Sequence, residues 1–448
     1  MQFYRAFFYI FLLVLCLGCS SDDEDGNIEP SITITSFVAG KNEVEISWEL
    51  ARDNNVIIED LLIYRETFSD GSERRYFELI ESIPSSSKSY IDTNVPYLSK
   101  ISYYVKANYR YDDDDQYEIL SLQSEEKVFE RDFPQFDQVP YQVMKDPDSN
   151  DIYHILTNWN PAEINRYDAR VNEMVQSRTF SESLFYGTRF IFSGNDLVLG
   201  DLKGNFFFVD KESYEINRLF DADLQEDLEG FGIIGNRLYY VEDFSFDYIN
   251  VDTGAIKKHG TGKGFKYFQV LNETQLLSLY SGTHSSAASV YEFQDDLDPD
   301  IGWDFSLSEI RRTSPELNLD GNDVDTFIFT WSNDKTQFLT GIEGRFFNIN
   351  DLTPGIVLGG ITGKRYLHFA IDSKGDIYGS VQEEKIIHVF DGETLELKES
   401  IPTKLYPVFP IITTNGLVCI GAYERVEYWG YNYGIDYGFH SEAAIETF

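Results

Sequence analysis

Seven short apolar segments recur along most of this chain, and their period restricts the fold more than any other feature. They are "NDIYHI" (150–155), "NDLVLG" (195–200), "NRLYYV" (236–241), "TQLLSL" (274–279), "TQFLTG" (336–341), "GDIYGS" (375–380) and "GLVCIG" (416–421). Five of the six intervals between them lie between 38 and 45 residues, and the fourth is 62. Another strand-like run precedes each segment, as "RFIFSG" precedes "NDLVLG". A third run ending in a polar turn usually follows: "INRYDA", "FFFVDKES", "YINVDTG", "VYEFQDD", "FFNIND" and "IHVFDGET". A fourth comes next, in "EINRLF" and "LELKESI".

Four strands repeating seven times at about 40 residues is the pattern of a β-propeller, whereas periods of about 33 or 34 residues mark helical repeats. Composition agrees: 30 Tyr and 35 Phe against 3 Met favour strands over helices. The seventh unit lacks a fourth strand before the chain ends, so a strand from about residues 133–140 is expected to close the ring and cover both open edges. The fold class expected is therefore all-β, with the propeller, seven-bladed, over 133–448. The Gly-His and Trp-Asp pair of WD40 repeats is missing. Ser332-x-Asp334 in "SNDKTQF" resembles an Asp-box, but Thr336 stands where Gly belongs.

Residues 31–130 carry a second set of short strands at 8–12-residue spacing. In "EVEISWEL" (43–50), Val44, Ile46 and Trp48 alternate with Glu43, Glu45 and Ser47. "DLLIYRE" (60–66), "RYFELIESI" (75–83), "KSYIDTNV" (88–95) and "KISYYVKANY" (100–109) follow. This stretch resembles a fibronectin type III domain. The resemblance implies a β-sandwich with Trp48 as the core tryptophan of its second strand. Tyr103, Val105 and Ala107 would form the Y-x-V-x-A of the sixth, with the Tyr103 hydroxyl tying down a corner. "RYDDDDQYE" (110–118) reads as the hairpin between the last two strands.

The N-terminus reads as an address. Ala6–Leu17 is a dozen apolar residues behind Arg5, too short for the roughly 20 needed to cross a bilayer and of the size of a signal-peptide core. Gly18-Cys19 resembles a bacterial lipobox, with Cys16 standing where Leu is usual. The resemblance implies that residues 1–18 are removed and that the Cys19 thiol is acylated, anchoring an acidic tether over 19–30; a short uncleaved anchor helix is the competing reading. Ser20, Ser21, Asp22, Asp23, Glu24 and Asp25 resemble the export signal of surface lipoproteins of the Bacteroidota. That implies a lipid-anchored outer-membrane protein facing the cell exterior. The same carboxylates also suit a solvated tether.

Removal of 1–18 takes away Arg5 and no acidic residue, leaving 35 Lys and Arg against 76 Asp and Glu, a balance of −41. Such a surface repels phosphate backbones, which excludes nucleic acid as a partner. Cys419 is the only cysteine after Cys19, so the exported chain has no disulfide.

Chemistry is sparse. The long fourth interval places about 22 surplus residues near 294–323, and insertions into a rigid scaffold tend to carry function. There Asp296, Asp298 and Asp300 form the first half of a calcium-loop pattern, but Gly falls at 302 and Leu307 stands where the closing Glu belongs. They are candidate Ca²⁺ ligands, with an ordinary acidic loop as the competing reading; no other cofactor or metal is expected. Trp303 and Phe305 in this loop form a candidate contact patch. Trp429, Tyr431 and Tyr433, in "YERVEYWGYNYGIDYGF" (423–439), form a candidate glycan platform, against the alternative of inter-blade packing. "KKHGTGKGFK" (257–266) superficially resembles a phosphate loop but lacks Ser or Thr after Gly262-Lys263 and reads as a blade connection. The six histidines share no metal spacing, and His154, His368 and His388 fall in predicted strands. No G-x-S-x-G occurs, and no catalytic residue is singled out.

These readings predict a non-catalytic, surface-anchored binding or scaffold lipoprotein. The expected partner is an outer-membrane protein of an uptake, secretion or assembly complex, or a polysaccharide. The alternative is an extracellular propeller that binds or degrades glycans.

Overall fold

The computed structural model describes residues 29–448 except 41–42, 69–74, 113–117, 158–160, 181–189, 225–227, 243–244, 259–266, 281–285, 295–305, 315–318, 320–322, 326 and 429–440. The chain divides into two compact units, Met1–Arg131 and Asp132–Phe448. Strands dominate both, and the one helix among the described residues is the five-residue Leu358–Thr362. Among the described residues, no helix is long and apolar enough to cross a membrane.

The first unit is a sandwich of two antiparallel sheets. One sheet orders Ser31–Ala39, Val44–Ala51 and Ser89–Asp92; the other orders Arg75–Pro84, Val56–Phe68 and Lys100–Tyr111, with Leu120–Gln123 and Lys127–Glu130 sharing the last edge. Alternation supplies the core: Val44, Ile46 and Trp48 face Ile101, Tyr103, Val105 and Ala107 in one buried cluster. Along Val56–Phe68 the inward set changes parity, from Val56 and Ile58 to Leu61 and Ile63. A register shift between Ile58 and Asp60 against Lys100–Tyr111 accounts for this, because one extra residue flips every following side chain.

The Tyr103 hydroxyl lies inside this core and donates to Asp92 Oδ2 at 2.9 Å, so it is tied by a side chain, not by a backbone carbonyl. Asp92 also accepts from Arg65 Nη1 at 2.9 Å and from the Asn94 amide at 2.8 Å. Three donors thus hold a carboxylate that is nearly dry.

The second unit is a ring of seven four-stranded antiparallel sheets, a seven-bladed β-propeller. Blade 1 comprises Gln142–Lys145, Ile152–Thr157, Glu163–Asp168 and Glu173–Thr179. Blade 2 comprises Ile191–Ser193, Asp196–Gly200, Asn205–Asp210 and Ile216–Asp221. Blade 3 runs Leu228–Ile234, Arg237–Glu242, Ser245–Asn250 and Ile256–Lys257. Blade 4 runs Tyr267–Val270, Gln275–Tyr280, Ala287–Gln294 and Ser306–Arg312. Blade 5 holds Phe329–Trp331, Gln337–Thr340, Arg345–Asn348 and Pro354–Val357. Blade 6 holds Tyr366–Ile371, Ile377–Val381, Ile386–Phe390 and Leu397–Pro402.

Blade 7 takes Tyr406–Thr413, Gly416–Ala422 and Ala443–Thr447 from the end of the chain, and its fourth strand is Gln135–Phe136. The pairs Ala443–Phe136 and Ala444–Gln135 thereby join the two ends of the unit. The seven recurring segments of the sequence are the seven second strands. Each lies between two neighbours in its own sheet and is covered on both faces by adjoining blades, so it buries most of its residues. Fourth strands form the rim and are largely exposed, as the pattern of Ile216–Asp221 shows.

The polar turns between third and fourth strands repeat because one geometry repeats. In blades 2, 3, 5 and 6 the amides of Tyr214, Gly254, Leu352 and Leu395 bond back four residues to the carbonyls of Asp210, Asn250, Asn348 and Asp391. Those Asp and Asn side chains accept from amides inside the turn, for instance Ser213 to Asp210 at 2.8 Å and Thr394 to Asp391 at 2.9 Å. The fifth residue sits in the left-handed region, at φ 57° for Tyr214, 73° for Gly254, 56° for Leu352 and 58° for Leu395. Only one of the four is glycine.

The surplus of the long interval is split between two places. Residues 295–305 lie between the third and fourth strands of blade 4, outside the described residues, and 313–328 form the connection to blade 5.

Candidate functional site

First strands line the centre of the ring, and first strands of neighbouring blades pack together. Where the first strands of blades 5, 6, 7 and 1 end, their hairpins surround a cavity of about 600 Å³. Its wall mixes aromatic residues, Tyr153, Phe329, His368, Phe369 and Phe409, with aliphatic ones such as Val143, Ile371 and Ile411. His368 stacks on Phe409 with centroids 4.0 Å apart, and Phe327 meets the His368 ring edge-on at 4.5 Å. The rim is polar: Lys145 and Asn150 from blade 1, Asn333 from blade 5, Asp372 and Ser373 from blade 6, and Thr413 and Thr414 from blade 7.

Several of these polar groups hold the blades to one another. The Tyr153 hydroxyl donates to the Ile412 carbonyl, and Thr414 gives both its amide and its hydroxyl to Asp151, each at 2.8 Å, which locks blade 7 to blade 1. Thr330 Oγ1 donates to the Phe369 carbonyl at 2.9 Å, and Asn333 Nδ2 to the Asp372 carbonyl at 2.7 Å, which locks blade 5 to blade 6. Asp372 is the one carboxylate among the described lining residues, and its Oδ1 accepts the amides of Lys374 and Asp376 at 2.8 and 3.0 Å. Lys145 Nζ donates to Asn150 Oδ1 at 2.7 Å. A hydrolytic carboxylate pair would need a second acid about 5–9.5 Å from the first. The described lining supplies none.

Two further polar clusters are buried in the ring. At the seam of blades 1 and 2, His154 is fully buried between Tyr214 Oη, 2.8 Å from Nδ1, and Asp146 Oδ2, 3.1 Å from Nε2. Lys211 Nζ reaches Asp146 Oδ1 at 3.1 Å and also bonds Asp148. Burial works against the Asp146 charge, yet the Asp148 amide, His154 and Lys211 together hold its carboxyl below the usual range. Burial lowers the His154 pKa to about 4 despite that carboxylate. The ring is therefore neutral, with Nε2–H donating to Asp146 and Nδ1 accepting from Tyr214. Just before the first strand of blade 5, Asp325 is fully buried and accepts from the amides of Phe327 and Ile328 at 2.6 and 3.1 Å. The Tyr428 hydroxyl completes it at 3.1 Å from both oxygens. Both clusters tie distant segments together, and none of Asp146, His154, Lys211, Tyr214, Asp325 and Tyr428 is among the lining residues of the cavity.

His154, His368 and His388 all lie in strands and are buried. His388 Nδ1 bonds the Tyr366 hydroxyl at 2.9 Å. Cys419 is a free, buried thiol, and burial pushes its pKa up, so it is not a nucleophile. Among the described residues no group of three or more His, Cys, Asp or Glu side chains is placed to hold a metal ion. Cys19, Ser20, Ser21, Asp22, Asp23, Glu24 and Asp25 lie outside the described residues, as do Asp296, Asp298 and Asp300. So do Trp303, Phe305, Trp429, Tyr431 and Tyr433. The cavity was missed in the sequence because its rim comes from four separate hairpins whose short polar residues read as ordinary turns.

No model of a protein family and no curated protein matches the sequence. Among solved structures, the chain is similar to the crystal structure of the RRP9 WD40 repeats at 13% identity and a TM-score of 0.46, over 69% of this chain and 94% of that one. It is similar to the structure of U3-55K at 12% identity and a TM-score of 0.45, over 70% of this chain and 96% of that one.

Proposed function

We propose that this protein is a surface-anchored, non-catalytic scaffold lipoprotein whose propeller presents its hairpins to a partner. The observation that carries this reading is the use of the polar groups at the channel mouth. Tyr153, Thr330, Asn333 and Thr414 bond the neighbouring blade and so stiffen a platform, and no acid–base pair converges among the described lining residues. A rigid ring that presents loops of differing sequence suits protein recognition, though fold alone does not fix a function.

The anchor in this proposal is an acylated Cys19 behind a cleaved apolar leader, with Ser20–Asp25 as the export signal and tether. Several acyl chains on one cysteine hold a protein at a membrane far more firmly than a single chain does. The first unit acts as a fibronectin type III-like spacer. Its strand order, with the second strand between the first and fifth in one sheet and the third beside the sixth in the other, supports this, as do buried Trp48 and Tyr103. The partner is an outer-membrane protein of an uptake, secretion or assembly complex.

The test is isolation of the full chain in detergent from its native membranes. Stoichiometric co-purification of a membrane protein is the expected result, with Cys19→Ala releasing the chain from the membrane. Proteinase added to intact cells should digest it. Survival in intact cells with digestion after lysis would refute surface exposure. A chain that runs alone and cleaves a glycan would refute the scaffold.

A further inference from the structure

The cavity at the channel mouth has features that the scaffold reading leaves unused. We infer that it is a binding site for the terminal one or two residues of a neutral glycan, which it holds without cleaving. This goes beyond the proposed scaffold role and does not depend on where the chain is anchored.

Size and lining come first. A volume of about 600 Å³ falls within the roughly 300–1,000 Å³ of small-molecule sites, which combine an apolar wall with a few placed polar groups. Here the wall is apolar, part aromatic and part aliphatic, and the rim carries short amide and hydroxyl side chains. A sugar has the matching duality, with apolar ring C–H groups and a fringe of hydroxyls that both donate and accept.

Charge then narrows the class. The chain carries a formal −40, yet the described lining holds one cation and one carboxylate, Lys145 and Asp372. Each already has partners, Lys145 in Asn150 Oδ1 and Asp372 in two turn amides. The two charges sum to zero, so the described lining as a whole favours neither an anion nor a cation. A neutral polyol suits that balance: the remaining ammonium hydrogens of Lys145, the Asn150 amide, Asn333 Oδ1 and the Ser373 hydroxyl offer donors and acceptors to its hydroxyls.

A peptide is disfavoured by the backbone of the wall. A first strand faces the channel with one unpaired edge, to which an extended peptide would add as another strand. The wall carbonyls of Ile412 and Phe369 are already taken by Tyr153 and Thr330 of the neighbouring blades. The edge is therefore blocked in two of the four blades that line the cavity. Cleavage is disfavoured because Asp372 stands alone as an acid among the described lining residues.

The test uses the purified full chain in detergent and saturation-transfer NMR with maltose, cellobiose, lactose and N,N′-diacetylchitobiose as probes. The expected result is saturation of ring C–H protons in at least one probe, with no cleavage over the same period. Ser373→Trp, which fills the mouth, should abolish binding with unchanged thermal unfolding, and Asn333→Ala should weaken it at least tenfold while losing only its single bond to the Asp372 carbonyl. Asn333 and Ser373 lie in exposed hairpins, so these variants leave the blade core intact. Absence of transfer from all four probes would overturn the inference. Transfer unchanged in Ser373→Trp would overturn it too, by placing the sugar elsewhere. Binding confined to short peptides would assign the mouth to a partner protein, and cleavage of a probe would make it an active site; either result refutes the site as stated.

Discussion

His154 makes the stability of the propeller depend on pH in a way that can be calculated. The ring is buried between Asp146 and Tyr214, with Lys211 and Arg166 adding positive charge nearby, and its pKa is lowered to about 4. In an unfolded chain the same histidine titrates near 6.5. The folded state thus prefers the neutral ring, and its advantage is complete above pH 6.5. As pH falls, the unfolded chain binds a proton that the folded chain refuses, and stability drops until the folded ring also titrates near pH 4. With about 1.36 kcal/mol per pKa unit, the loss is roughly 2 kcal/mol by pH 5 and approaches about 3 kcal/mol below pH 4. The comparison that isolates this effect is wild type against His154→Gln, which keeps an N–H for Asp146 but does not titrate. Urea unfolding at pH 7 and pH 5 should show wild type losing about 2 kcal/mol more than the variant. Carboxylate titrations elsewhere are common to both and cancel. Parallel stability curves, or an NMR pKa for His154 near 6.5, would refute the assigned neutral ring and its bonding to Asp146.

Three other substitutions test the ties described above. Tyr428→Phe removes one donor from the fully buried Asp325 carboxylate, and a bond to a charged group contributes about 1.5–3 kcal/mol; urea unfolding should show that loss, and limited proteolysis should show faster cutting between 423 and 442. Tyr103→Phe should cost the first unit a similar 1.5–3 kcal/mol, because Asp92 keeps only Arg65 and one amide; calorimetry of the full chain should show the transition of that unit moving down while that of the propeller stays. Gly392→Ala would place a Cβ 2.3 Å from the Gly375 carbonyl oxygen, forcing two turns of blade 6 apart at a cost of about 1–3 kcal/mol; an unchanged unfolding midpoint would show that the turns separate freely.

The blade count was legible because second strands are buried on both faces and must be largely apolar, as "LVL" in Asp196–Gly200 is. The turns after third strands were legible for a separate reason. Asp210, Asn250, Asn348 and Asp391 each accept from amides inside their own turns, so the polar residue is fixed by backbone geometry. First and fourth strands carry weaker marks. A three-residue first strand such as Phe329–Trp331 has no room for a period, and a rim strand such as Leu397–Pro402 is mostly exposed. The cavity follows the same logic. Its residues sit where first strands run into hairpins, so each looks like local turn chemistry, and only closure of the ring brings Lys145 into one rim with Asn333 and Ser373. A repeat sequence therefore shows what every blade has in common, whereas a site made by four unlike hairpins depends on how the blades differ. In this chain the differences are concentrated on one side of the ring. Blades 5, 6, 7 and 1 share the largest buried cluster, carry the apolar wall and are cross-bonded at the rim. Blades 2 and 3 share a separate cluster and contribute nothing to the described lining. A ligand at the mouth would thus bind off the axis and stiffen the seam between blades 7 and 1, the place where Gln135–Phe136 holds the ring closed by two residue pairs. The site lies at the inner edge of blade 7 and the closure at its outer edge, so a ligand that binds only the closed ring should slow opening of that blade as a whole.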